Sequence, residues 1–245
     1  AAMQGIFSRH AIDAVVHFAA FKAVGESTAQ PLAYYRNNIG GLLALAGTMQ
    51  RHGCRRLVFS SSATVYGQPE RLPITEDSPL STTNPYGATK LMGENILRDL
   101  ERSEPGWAIA LLRYFNPVGA HPSALIGEFQ DLSESVVPVI TQTAIGKRQE
   151  MTVFGSDYPT RDGSCVRDYI HVMDIANAHT RALQYIIDDR NKSNCEVFNL
   201  GTGNGYTVLE VIQAFERVSG EKLNYVVSER RPGDVIAIYA NNEKA

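Results

Sequence analysis

The segment NPYGATK (84–90) places a phenol and an amine four residues apart where a helical pattern begins. In a helix that spacing puts Tyr86 and Lys90 on one face, one turn apart. A tyrosine hydroxyl ionises near ~10; to serve as a base near pH 7 it must fall by about 3 units, roughly 4 kcal/mol. A nearby ammonium favours the phenolate, so Lys90 is expected to lower the Tyr86 pKa. A Tyr-x-x-x-Lys pair often arises by chance, and its commoner meaning is a surface pair. The run RRLVFSSS (55–62) adds weight because a strand-like stretch ends there in hydroxyls. Ser62 at that end could donate to a substrate oxygen and to Tyr86, although serine is also common in strand-end turns.

Positioning these groups requires a sheet. Short apolar runs alternate with longer helical patterns along the chain. The runs 11–20, 55–62, 107–116, 151–155, 196–200 and 222–227 read as strands. The stretches 31–53 (closing at Gly53), 86–103, about 135–147 and about 207–219 read as helices, and 167–189 starts extended and turns helical. Strand runs without polar alternation suggest a sheet covered on both faces, hence parallel. Strands alternating with helices suggest a doubly wound α/β fold. Such sheets bind ligands beyond the carboxyl ends of their strands, where VVHFAA, LVFSS and LLRYF each run into polar residues.

The segment NLGTGNGYTVLEV (199–211) has the order strand, glycine cluster, helix that a dinucleotide-binding turn requires. Its glycines, Gly201, Gly203 and Gly205, are spaced G-x-G-x-G, and Tyr206 stands where the third fingerprint glycine belongs. Thr207 and Glu210 form the T-x-x-E of a capping box. A structural turn feeding a capped helix is the better reading, and no other segment offers a better fingerprint.

The chain has 245 residues and a net charge of −3, with 44% hydrophobic and 20% charged residues. That is the composition of a globular protein, with no electrostatic footprint for nucleic acid. No apolar run approaches the ~18 residues of a membrane span. Cys54, Cys165 and Cys195 are odd in number and widely spaced, so free thiols in a reducing cytoplasm are expected rather than disulfides, and no metal site is expected.

Taken together, HFAAFKAVGES, NNIGG, SSSATVYG, PYGATK, RYFNPVGAHPSALIGE, FGSDYPTRDGSCVRDYIHVMD and RRPGDV resemble the extended short-chain dehydrogenase/reductases. Within them they resemble the UDP-glucose 4-epimerases (UDP-galactose 4-epimerases). The resemblance runs in order through essentially the whole chain. It implies a Rossmann-type doubly wound parallel sheet, lacking its first βα units, with a smaller α/β substrate domain. Residues 1–116 would form the partial NAD-binding domain, with about 165–202 returning to it. Residues about 117–164 and 203–245 would bind the UDP-sugar. That family opens on a strand and a G-x-x-G-x-x-G turn that this sequence does not contain, and it closes on further helices. The chain is therefore expected to be truncated at both ends, an internal segment that by itself neither holds NAD nor turns over substrate.

The resemblance also implies site residues. Tyr86 would be the catalytic base, Lys90 would lower its pKa and hold the nicotinamide ribose, and Ser62 would bond the sugar's O4. Phe18, Ala19, Ala20, Phe21 and Lys22 would line the cofactor, Lys22 being the charged contact. Asn37 would brace the cofactor side, and Tyr114 and Phe115 would lie by the nicotinamide, whereas His17 reads as a packed strand residue. Asn116, Arg167 and Arg231 would hold the diphosphate, Asp234 the uridine ribose, and Thr152 and Phe154 the uracil. Ser135 and Val136 stand where that family usually has asparagines that contact substrate. Ile238 stands where a tyrosine often narrows the sugar pocket, which implies tolerance of UDP-N-acetylhexosamines. The implied activity is NAD-dependent, reversible 4-epimerisation of UDP-glucose and UDP-galactose through a 4-keto sugar, by a cytoplasmic homodimer of galactose metabolism. Two alternatives remain: a nucleotide-sugar 4,6-dehydratase or decarboxylase, or a binding fragment without catalysis. Against a dehydratase, Ala63 and Thr64 occupy the places of that enzyme's acid pair.

Overall fold

The computed structural model describes residues 2–128, 133–231 and 233–245. The first third holds helix α1 (Ala2–Arg9), strand β1 (Val15–His17), helices α2 (Val24–Ala29) and α3 (Pro31–Tyr34), a π-helical turn (Tyr35–Ile39), α4 (Gly40–Arg51), β2 (Arg56–Ser62) and a 3-10 turn (Ala63–Tyr66). Then come α5 (Pro85–Ser103), β3 (Ala108–Tyr114), β4 (Asn116–Val118), α6 (Val136–Ala144), β5 (Met151–Phe154), β6 (Val166–Arg167), β7 (Tyr169–His171) and α7 (Val172–Ile187). The chain continues through β8 (Cys195–Leu200), β9 (Tyr206–Thr207), α8 (Val208–Ser219), β10 (Tyr225–Ser228) and β11 (Ala237–Ile238).

The main sheet has the order β1-β2-β3-β8, with every pairing parallel. Successive side chains of a strand point to opposite faces, and both faces here are covered. Leu57, Phe59, Ile109 and Leu111 pack on Leu42, Leu45 and Met49 of α4 and Leu97 of α5. Val58, Ala110 and Leu112 pack on Ile175, Ala182 and Ile186 of α7. Burying each such side chain stabilises by about 1.5–3 kcal/mol. The doubly wound α/β reading is what the structure shows. A second cluster, Ile140, Met151, Val153, Ile212 and Leu223, joins α6 and α8 to the parallel pair β5–β10. Between the two, β6 pairs with β11 in parallel and with β9 antiparallel.

Several boundaries differ from the sequence expectation. The expected strand 11–20 is reduced to β1, and its continuation is a loop. The helix expected over 31–53 runs from Pro31 to Arg51 and carries a π-helical turn within it, at which Asn38 is buried. Helix α1 carries Met3 and Phe7 four residues apart, one helical turn, and both pack on the first core cluster. The short strands β4, β6, β9 and β11 are too brief to leave a periodic signal.

Candidate active site

Because the main sheet is parallel, its strands end on one edge. Register places Ser62 beside Tyr114 and Tyr114 beside Leu200 at that edge. Helix α5 delivers its chemistry there. Asn84 caps it by accepting from Gly87 N at 2.8 Å, and Pro85 occupies its first turn, where a missing N–H costs nothing. Tyr86, Lys90 and Glu94 follow at four-residue steps along the face that meets the sheet.

The ammonium of Lys90 donates to the Ser60 carbonyl oxygen at 2.6 Å and lies 5.9 Å from the Tyr86 ring centre. Lys90 is buried, and burial pulls its pKa down to about 8. Burial also pushes the Tyr86 phenol up, while Ser62 pulls it down. Burial outweighs the Ser62 bond at Tyr86, and the Lys90 ammonium lies close to the phenol ring while bonded to the Ser60 carbonyl. Ser62 itself accepts from Thr64 N at 3.2 Å and from Thr64 Oγ1 at 3.0 Å.

After β1 the chain turns outward, and Phe18 and Phe21 are exposed at 57% and 46%. Phe18 lies over His179, with ring centres 4.4 Å apart. Ala19 and Lys22 are exposed and Ala20 is half-buried; Lys22 pairs with Glu128 at 3.4 Å. The loop after β1 is braced by Asn38, the neighbour of Asn37. Asn38 accepts from Phe21 N at 2.8 Å and donates to Phe21 O at 3.1 Å and Thr89 Oγ1 at 3.0 Å. Asn37 is exposed and donates to Asn38 Oδ1 at 3.0 Å. The consecutive asparagines in YRNNIGG were a visible signal, but only the π turn decides which one points inward. His17 stacks on Phe59 as a strand residue, and burial, with the Lys90 charge, lowers its pKa to about 4. Tyr114 hydrogen-bonds His179 Nε2, whose other nitrogen faces the Ile175 carbonyl at 2.8 Å. That carbonyl fixes the proton on Nδ1, so Nε2 accepts from the phenol. Phe115 is buried with Ala63, Val65, Tyr66, Ile74 and Ile238.

A second group of expected residues meets at β6 and the segment before β11. Asp234 Oδ1 receives Arg231 at 2.8 Å and Arg167 at 3.7 Å. The Arg231 guanidinium stands 5.2 Å from the Phe154 ring centre. Ile238 pairs with Arg167 in register. Thr152 lies half-buried on β5, and Asn116 donates its N–H to Asp168 O at 2.9 Å. Ser135 precedes α6 without a side-chain cap, and Val136 packs on the α6–α8 cluster.

The glycine cluster has an occupant of its own. Asp168 is fully buried. Its Oδ1 accepts from Thr202 N at 2.8 Å and Thr202 Oγ1 at 2.7 Å, and its Oδ2 accepts from Gly203 N and Ala240 N at 3.1 Å each. A Cβ on Gly201 would lie 2.4 Å from Asp168 Oδ2, which accounts for that glycine. The turn therefore cradles the protein's own carboxylate instead of a phosphate. Beyond it, Thr207 and Glu210 form the expected reciprocal capping box.

Sequence reasoning also missed a buried charge network beneath the site. Glu94 accepts from Ser61 Oγ at 2.5 Å, Arg113 Nε at 2.9 Å, Arg113 Nη2 at 2.6 Å and Arg98 Nη2 at 3.0 Å. Arg113 Nη1 donates to Tyr66 Oη at 2.7 Å, and that hydroxyl donates to Asn199 Oδ1 at 2.7 Å. Burial pushes Glu94 up, but the bonds and charge of Arg113, with Ser61 and Arg98, more than reverse it, leaving the carboxyl below its usual range. An arginine inside the apolar run WAIALLRYF was the available signal.

A parallel sheet with this tyrosine–lysine helix and serine at its carboxyl edge defines an extended short-chain dehydrogenase/reductase. The chain belongs to the NAD dependent epimerase/dehydratase family, whose model matches residues 1–201. It is 56% identical over its whole length to UDP-glucose 4-epimerase 2 of Arabidopsis thaliana, covering 69% of that protein. It is 52% identical to the UDP-glucose 4-epimerase of Bacillus subtilis, covering all of this chain and 71% of that one. The crystal structure of the Bifidobacterium longum UDP-glucose 4-epimerase in complex with NAD+ and UDP is similar, with a TM-score of 0.93 and 50% identity over 99% of this chain and 72% of that chain. No helix among the described residues is long and apolar enough to cross a membrane.

Proposed function

We propose that this chain belongs to an enzyme that carries out the NAD-dependent, reversible 4-epimerisation of UDP-glucose and UDP-galactose, and that the 245-residue segment alone neither holds NAD nor turns over substrate. The observation that carries this reading is the meeting of Tyr86, Lys90 and Ser62 at the end of β2, followed directly by Ala63 and Thr64. That set can move one proton at a sugar hydroxyl and places no acid for eliminating water. In this reading Tyr86 takes the proton from the sugar's 4-hydroxyl and Ser62 holds O4. One positioned proton-transfer group accelerates by about 10²–10⁴. The 4-keto sugar then turns within the site and presents its other face.

The residues present fit the nicotinamide end of NAD. Phe18 and Phe21 offer exposed rings beside the strand ends, and Lys90 offers a buried ammonium one turn from Tyr86. NAD bound there supplies the acceptor, and then the donor, of hydride at the sugar's C4, together with a positive ring. The chain's own task is to hold the phenol where that charge offsets the upward push of burial. Ala19, Ala20, Lys22, Asn37, Tyr114 and Phe115 complete the cofactor side of this proposal. Its cofactor half comprises residues 1–116 with about 165–202, and its sugar-nucleotide half about 117–164 with 203–245.

On the substrate side, Arg167 and Arg231, with Asn116, hold the diphosphate. Arginine suits the role because its planar fork pairs with phosphate oxygens in a bidentate way. Asp234, which already receives both guanidinium groups, turns to the ribose hydroxyls when phosphate takes its place. Thr152 and Phe154 border the uracil, and Ser135 and Val136 lie at the mouth of α6. Ile238 carries no ring, so UDP-N-acetylhexosamines are accepted as well. Turnover of UDP-N-acetylglucosamine at less than about a thousandth of the UDP-glucose rate would remove that part. We further place the protein in the cytoplasm, where its three free cysteines suit a reducing compartment, and as a homodimer, with Leu43 and Met92 as exposed apolar residues on α4 and α5.

Mass analysis of the product tests the reaction class. The expected product of UDP-galactose has unchanged mass and inverted configuration at C4. Loss of water would make the protein a dehydratase, and no product at all would leave a binding module.

A further inference from the structure

Tyr86, Lys90, Glu94 and Arg98 fall at four-residue steps on α5, so they form one stripe along the helix. Each of the first three meets a different serine of β2. Tyr86 lies by Ser62, Lys90 Nζ lies 2.6 Å from Ser60 O, and Glu94 Oε1 lies 2.5 Å from Ser61 Oγ. The first two contacts lie at the ligand edge. The third belongs to a row that crosses the sheet, because Ser61 is in register with Arg113 and Arg113 with Asn199.

That row is a closed polar system. Glu94, Ser61 and Asn199 are fully buried, and Arg113 and Tyr66 are 1% exposed. Asn199 Nδ2 donates to Ile74 O at 3.0 Å and Arg113 Nη1 to Glu76 O at 3.2 Å. The network therefore grips three strands, the 3-10 turn after Ser62 and the loop leading into α5. Close packing reinforces it, since a Cβ on Gly93 would lie 2.8 Å from Phe59 Cζ. A slip of α5 by one turn, about 5.4 Å, would carry Glu94 away from Ser61 and Arg113, its partners on the sheet, and leave a charge in the core.

We propose that the Glu94–Arg113 pair is the positioning device of the site: it fixes the seat of α5 on the sheet, and with it the stations of Tyr86 and Lys90 opposite Ser62 and Ser60. The inference rests on the reading of Tyr86 as the base. The pair touches no substrate. Its work is done one helical turn beyond Lys90, through the helix that Tyr86, Lys90 and Glu94 share.

The test compares three variants of the holoenzyme. The double variant Glu94→Leu/Arg113→Met removes both charges together, so no buried ion is left alone. Tyr66→Phe removes one hydroxyl and no charge. Tyr86→Phe serves as the reference for loss of the base. In the double variant kcat should fall at least tenfold, with KM for UDP-glucose within about twofold of the parent. An amine-acylating reagent followed by peptide mass spectrometry should label Lys90 at least threefold faster than in the parent, at an unchanged rate for the exposed Lys222. Tyr66→Phe should move both readouts the same way, with kcat down about twofold to fivefold. A folded double variant with parental kcat and parental Lys90 labelling overturns the proposal. If the double variant does not fold, parental kcat and labelling in Tyr66→Phe overturn it instead. Full turnover in Tyr86→Phe would remove the reading of the base, while Lys90 labelling would still decide the positioning role.

Discussion

Glu94 and Asp168 are both fully buried carboxylates, and each oxygen of each accepts two hydrogen bonds. Their solutions to burial differ. Glu94 is balanced by the guanidinium of Arg113, with Arg98 at the margin. Asp168 is held by backbone N–H groups of the glycine turn and Ala240 and by the Thr202 hydroxyl, with no arginine or lysine among its hydrogen-bond donors in the described residues. The first couples side chains of a helix and a sheet, so it fixes where α5 sits. The second couples the glycine turn and the Ala240 segment to the residue beside Arg167, so it fixes how those segments meet. One fold thus holds two buried carboxylates with two kinds of anchor, one based on charge pairing and one on a shaped backbone.

The largest effect that should separate the two is Arg113→Met. It leaves the Glu94 carboxylate buried and short of two donors, and breaking such a pair costs about 3–5 kcal/mol. The double variant Glu94→Leu/Arg113→Met should recover most of that loss, because neither charge is then stranded. Thermal unfolding reads both, and equal destabilisation of single and double variants would break the charge-pairing half of the comparison. Asp168→Asn comes next. An amide places an NH2 against at least one backbone N–H, and an unsatisfied buried donor costs about 1–3 kcal/mol. Its kinetic mark should be a rise of about tenfold in KM for UDP-glucose at nearly parental kcat. A fall in kcat at parental KM would assign Asp168 to the chemistry rather than to the substrate. The smallest effect is in acid. The folded pKa of Glu94 lies below the usual carboxylate value, so its stabilisation is present above about 4.3 and is lost as pH falls through the folded pKa. The double variant should lose less stability than the parent on acidification from pH 5 to pH 3. An identical acid limb would place that titration elsewhere.

Both anchors were hard to read from sequence, for different reasons. The sheet was legible because β2 and β3 carry the apolar runs LVF and AIALL without polar alternation, and α5 because of its helical pattern and the Tyr86–Lys90 spacing. Thr207 and Glu210 announced their capping box in the same local way. Glu94 and Arg113 are 19 residues apart, and Asp168 lies 34 residues before Thr202. Only the packing of distant elements brings those partners together, α5 on the sheet in the first case and two loops in the second, and no local pattern encodes it. Asn38 was missed by one position, because a π turn inside a helix shifts which of two asparagines points inward. The upward push on the Tyr86 phenol was not legible because helical spacing shows the face that Tyr86 and Lys90 share but not how far the phenol is enclosed.

The most direct test of the central claim is the turnover of UDP-galactose by Tyr86→Phe in the holoenzyme, measured beside its affinity for UDP. The phenyl ring keeps the packing of α5 and removes only the hydroxyl proposed to exchange the proton. The account predicts a loss in kcat of about 10²-fold or more, with UDP affinity within about threefold of the parent. Unchanged turnover would contradict it and place the base on another residue.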